Sequence, residues 1–161
     1  MVLFRKMGLV ALALGLGMQP TNAKADLSEV TLSGVRLGMS KSELYRQHGK
    51  PTLYKKEGDL RHVNFGDDHR LEVYLGQDDR VEYIRGGIAR VNGTEISLPL
   101  VPVEAKKKLP GSQLLDKDPG RVVLYWPTYQ LGAVYYDIGD GWLARYSLGT
   151  KPRFLQMSNT R

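Results

Sequence analysis

The chain has 161 residues, 23 Lys and Arg against 17 Asp and Glu, a formal net charge of +6, and no cysteine. That length allows one compact domain or two very small ones. The lack of cysteine excludes disulfides, thiol nucleophiles, cysteine-ligated zinc or iron–sulfur centres, and thiol-linked lipid.

Residues 1–25 read as an export leader. Arg5 and Lys6 form a positive start, and residues 7–18 carry no charge. That run suits a signal core and is too short to span a bilayer, which takes about 20 apolar residues. Gln19 and Pro20 break it, and Ala23-Lys24-Ala25 offers small residues where a signal peptidase reads. The sequence predicts cleavage after Ala25 and a periplasmic or secreted product, with no transmembrane segment in the mature chain and no lipid anchor. The leader takes Arg5, Lys6 and Lys24 with it and no acid, so half of the positive excess leaves. What stays is interspersed. Its densest run, Lys106-Lys107-Lys108, reads as the solvated face of a helix, and no nucleic-acid partner is expected.

The rest reads as two tandem units of one pattern. In the first, Leu32 and residues 35–37 are extended around Gly34. Ser40 is an N-cap, with Glu43 three residues on, and the helix covers about Lys41 to His48. Gly49 and Pro51 stop it. Three alternating strands follow, over residues 61–65, 71–75 and 81–84, between turn-rich tetrapeptides. The second unit repeats that order about 60 residues later. Residues 91–96 are extended, 102–109 form a short helix opened by Pro102, and Pro110-Gly111 stops it. Strands follow over 122–126, 133–136 and 142–146. The expected architecture is α+β: two tandem modules over 26–88 and 89–150, each a short helical segment packed on a three- to four-stranded antiparallel meander. Residues 151–161 read as a polar tail.

The segment Gly34 to Leu44 (GVRLGMSKSEL), followed by Gly49-Lys50-Pro51, resembles the small-module superfamily of the SmpA/OmlA (BamE-type) outer-membrane lipoproteins. Two such units in one exported chain also look like the tandem architecture of the β-lactamase inhibitory protein. The resemblance implies a fold of small helix-and-sheet modules, and the tandem architecture implies an enzyme inhibitor as one functional alternative. The lipoproteins need an N-terminal cysteine, which this chain lacks.

Candidate chemistry is sparse. His62 and His69 flank a turn containing Asp67 and Asp68, and these are zinc-ligand types without a spacing that fixes a common direction. Ser40 and Ser42 are explained by capping, and no G-x-S-x-G elbow occurs. No phosphate loop or EF-hand spacing is present. No catalytic, cofactor or metal residues are assigned, and no cofactor is expected.

Seven aromatic residues fall between positions 125 and 146: Tyr125, Trp126, Tyr129, Tyr135, Tyr136, Trp142 and Tyr146. Strands of the second unit carry large side chains on both parities, so their sheet needs two covers. Either the cluster is core and inter-unit packing, or it is a binding surface, where Tyr and Trp are favoured. On the second reading Tyr125, Trp126, Tyr135, Tyr136, Trp142 and Tyr146 contact a partner. The functional expectation is a non-catalytic exported binding module that contacts a protein or cell-envelope component. The alternatives are an inhibitor of a secreted hydrolase, and a metal-dependent or hydrolytic enzyme around His62 and His69.

Overall fold

The computed structural model describes residues 29–66, 71–96 and 101–159. The predicted leader, Asp67, Asp68 and His69 lie outside the described residues. In chain order the elements are β1 (Val30–Leu32), α1 (Lys41–His48), β2 (Leu53–Glu57), β3 (Leu60–Asn64), β4 (Glu72–Leu75) and β5 (Val81–Arg85). Then come β6 (Ala89–Val91), β7 (Thr94–Ile96), α2 (Pro102–Lys108), β8 (Gln113–Asp118) and β9 (Arg121–Trp126). The chain ends with β10 (Leu131–Asp137), β11 (Trp142–Gly149) and α3 (Lys151–Ser158).

Local chemistry sets the first helix. Ser40 Oγ accepts the Glu43 N–H at 3.2 Å, satisfying a donor that the first turn leaves open. The Glu43 carboxylate turns instead to Arg36, 3.3 Å away. Gly49 closes the helix at φ +82°, a conformation that costs a side chain dearly, and its N–H reaches the Tyr45 carbonyl. Helix α2 begins with Pro102, whose missing N–H has no helical partner to lose.

The expected pair of helix-on-meander modules is not the architecture. Most of the molecule is antiparallel sheet, eleven strands in two sheets among the described residues, with three short helices. The larger sheet has eight strands in the order β2-β3-β4-β5-β11-β10-β9-β8, and the smaller is β1-β6-β7. The two meanders meet directly. β5 pairs with β11, with Arg85 opposite Ser147, Ile84 opposite Leu148 and Tyr83 opposite Gly149. Scale explains the correction. A helix of seven or eight residues is roughly 12 Å long, whereas eight strands span about 34 Å. Such helices cover patches of the sheet and cannot define its layers. The outer strands β2 and β8 carry mostly exposed side chains, and a register shift falls between Leu114 and Asp116. Neither shows the alternation by which an inner strand is recognised.

Both faces of the large sheet are apolar. On one, Val63, Val73, Ile84, Leu124, Trp126, Tyr135 and Leu148 pack with Leu32 and Val35, Leu44 of α1, and Ala105 of α2. The Trp126 indole donates to the Leu109 carbonyl at 2.6 Å, which satisfies a buried N–H and ties α2 down. On the other face Leu60, Tyr74, Tyr83, Val123, Tyr125 and Val134 pack with Phe154 and Met157 of α3.

The segment expected as a polar tail therefore contains a docked helix. Phe154 is fully buried and stacks on Tyr125 at 5.5 Å. Its ring lies over Gly132, where a Cβ would collide with it. Arg153 binds Asp59 at 2.8 Å and Glu82 at 2.6 Å. Among the described residues, no helix is long and apolar enough to cross a membrane.

Phe154→Ala should cost about 3–5 kcal/mol of folding stability in urea unfolding, as for other buried aromatics. Gly132→Val should destabilise through the same contact. A Phe154→Ala cost within about 0.5 kcal/mol, the scale of an exposed substitution, would mean that α3 is not docked.

Candidate functional site

Helix α3 covers only part of its face of the sheet. Beside its C-terminal end lies an open cleft of about 780 Å³, the size of a site for a small ligand or a few peptide residues. Its buried parts are Tyr83, Val134 and Ser147, from β5, β10 and β11, and Met157 of α3. Met157, Ser158 and Asn159 of the α3 end form one side, with Arg85. Tyr136, Leu143 and Arg145 lie towards the β10–β11 hairpin, and Asp118 to Arg121 complete the lining.

Two of its three arginines are fixed structurally. Arg85 Nη1 binds Glu72 at 3.2 Å, and its Nη2 donates to the Met157 carbonyl at 2.9 Å. Arg121 Nη1 binds Asp116 at 2.6 Å, and its Nη2 donates to the Ser158 carbonyl at 3.2 Å. Both guanidinium groups thus satisfy carbonyls that the helix leaves open at its negative end. Arg145 differs. It is exposed on β11, and its guanidinium has no partner among the described residues. Tyr83 donates to Ser147 Oγ at 2.8 Å, so the Ser147 proton is left to point elsewhere.

Two other depressions are already internally paired. One, of about 610 Å³, contains Arg153 bound to Asp59 and Glu82. The other, of about 370 Å³, contains Lys41 and Arg80 facing Asp79 and Asp78.

The predicted aromatic contacts do not form one surface. Tyr125, Trp126 and Tyr135 are buried at 2%, 1% and 0% exposure and cannot touch a partner. Trp142 and Tyr146 are partly exposed and pack against the α1–α2 face core. Tyr136, on the opposite face, lines the cleft. Sequence reasoning missed Leu143, Arg145 and Ser147, although their spacing by two places them on one face of β11. His62 is buried and stacks on Tyr74 at 4.5 Å. Its Nδ1 lies 3.6 Å from Glu57 and its Nε2 4.0 Å from Glu72, so the two nitrogens face different carboxylates. Among the described residues, no three His, Cys, Asp or Glu side chains are grouped to hold a metal.

No family model and no curated protein matches the chain. Among solved structures, it is similar to a cysteine-rich secretory protein from Staphylococcus aureus subsp. aureus Mu50. The two share 12% identity and a TM-score of 0.46, over 76% of this chain and 47% of that one. The chain thus matches less than half of that protein's length.

Buried phenols set an alkaline limit. Burial pushes up the pKa of Tyr74, Tyr83, Tyr125, Tyr135 and Tyr146, taking Tyr125 to about 12. An unfolded tyrosine ionises near 10.0. Above that pH the unfolded chain therefore holds fewer protons than the folded one, and folding stability falls as pH rises. The stabilisation is intact below pH 10 and is lost from there up through about 12 for Tyr125. The urea midpoint should drop over this window, with the delayed phenolate absorbance appearing as the chain unfolds. A midpoint that stays level over this window would refute the burial of these hydroxyls.

Proposed function

We propose that this chain is an exported, non-catalytic binding module that contacts a partner protein of the cell envelope. The contact surface is the cleft beside α3 together with the adjoining β10–β11 hairpin. One observation carries this reading: the part of the sheet face that α3 leaves open combines apolar, aromatic and arginine side chains. Leu143 is 47% exposed and Ile138, in the hairpin turn, is 60% exposed. Tyr136 and Arg145 stand beside Leu143 in the same lining. Tyr and Arg are enriched where binding energy concentrates, because they bury large area and offer directed hydrogen bonds. Export is supported by the charged start at Arg5 and Lys6, the uncharged run and the Ala23-Lys24-Ala25 site.

Site-specific photo-cross-linking in the producing cells tests the surface. A photoreactive residue at Leu143 should give one discrete protein adduct. The same residue at Val103, exposed on α2 away from the cleft, should not. Arg145→Glu should reduce the Leu143 adduct severalfold while leaving the folded chain intact. Equal adducts at both positions, or none at Leu143, would overturn the assignment.

A further inference from the structure

We infer that the cleft takes a carboxylate that stands beside an apolar side chain on the partner's segment. This rests on the reading of the cleft as the binding surface and names the chemistry it selects.

The polar groups of the lining sort by what they still have to give. Arg85 and Arg121 are each held by a carboxylate and a helix carbonyl. Uncommitted among the described residues are the Arg145 guanidinium, the Ser147 hydroxyl proton, the Tyr136 hydroxyl, the Asn159 amide and the Asp118 carboxylate. Arg145 and Ser147 are donors from the same face of β11, two residues apart. A guanidinium offers parallel N–H bonds that match a planar carboxylate, and charge-assisted bonds of this kind are about twice as strong as neutral ones. The buried end of the cleft is apolar or aromatic, with Val134 and Tyr83, and Tyr136 and Leu143 lie at its open side. That end suits an aliphatic or aromatic body and gives a polar one little return. Glu72 and Asp116 already offset Arg85 and Arg121, so the lining keeps one free cation, Arg145, and one free anion, Asp118, among the described residues, and does not present the cluster of free cations that a doubly charged phosphate recruits. Asp118 in the same lining can accept an N–H, which a peptide carries next to its carboxylate and side chain.

Titration of the isotope-labelled chain with three small probes decides the point. They are acetyl-leucyl-leucine with a free carboxylate, the same dipeptide as its amide, and an amidated acetyl-leucyl-glutamyl-leucine. The free acid should shift the amide resonances of Tyr136, Arg145 and Ser147, and added salt should weaken it. Arg145→Gln should weaken it roughly tenfold or more, the scale of one lost charge-assisted contact. Val103→Ser should leave it unchanged. Binding of the glutamyl probe alone would support the inference with a side-chain carboxylate as source, and binding of the free acid alone would support a chain terminus. If the neutral amide bound as tightly as the acids, the carboxylate would play no part. The inference would then be wrong while the cleft stayed a binding surface. If no probe shifted the cleft resonances, the inference would also be overturned, and the Leu143 cross-link would judge the surface separately.

Discussion

The structure depends on one seam, the short pairing of β5 with β11. Only Arg85, Ile84 and Tyr83 face Ser147, Leu148 and Gly149 across it. Yet this pairing turns two four-stranded meanders into one eight-stranded sheet. Over these three pairs neither β5 nor β11 is an edge, while Trp142 to Arg145 of β11 pair with β10 alone among the described strands. Tyr83 and Gly149 show how tight the junction is, since a Cβ on Gly149 would press into the Tyr83 ring at 2.7 Å. A continuous sheet that is apolar on both faces then demands two covers. On one face the small sheet, α1 and α2 meet the demand together. On the other, α3 meets it in part, and the cleft is the part left open.

Arg85 links these levels. It sits on the seam strand, pairs with Glu72 on β4, lies 5.9 Å from the Tyr83 ring centroid, and holds the Met157 carbonyl. Arg121 does the equivalent from β9 with Asp116 and Ser158. The C-terminal end of α3 is therefore fastened to two strands on either side of the seam, β5 and β9. Its N-terminal half is fastened by Arg153 to the β2–β3 turn at Asp59 and to Glu82. A helix of eight residues is marginal by itself. Here packing by Phe154 and Met157 and these four arginine contacts hold it, and with it one side of the cleft.

The sequence was most legible where local rules decide. Helix α1 spans Lys41–His48 as Ser40 and Gly49 require, and β3, β4 and β5 fall on the alternating runs 61–65, 71–75 and 81–84. Legibility failed where the deciding contact is remote. Nothing near β5 or β11 says that they pair with each other. β2 and β8 lie at the edges, where solvent tolerates Lys55, Lys56 and Lys117 and erases the pattern. In α3 only Phe154 and Met157, three residues apart, mark an apolar stripe, and Pro152 in the first turn marks its start. Those two signals are present in the sequence, but their weight comes from Gly132 and Tyr125, over twenty residues earlier.

The aromatic cluster is contiguous in the chain but not in space, because a strand divides its residues by parity. On β11, Trp142, Ala144, Tyr146 and Leu148 turn to the α1–α2 face and join its core. Leu143, Arg145 and Ser147 turn to the α3 face and line the cleft. The first set is conspicuous because it is large and aromatic, and it is large because it fills space between layers. The second set is mixed and unremarkable as a string of residues. It lines a cleft because α3 stops short of it, and among the described residues the Arg145 guanidinium there has no partner, beside the buried Ser147 and Val134. A core concentrates bulky side chains of one kind. On β11 the unlike groups, Leu143, Arg145 and Ser147, lie on the face with fewer aromatic side chains.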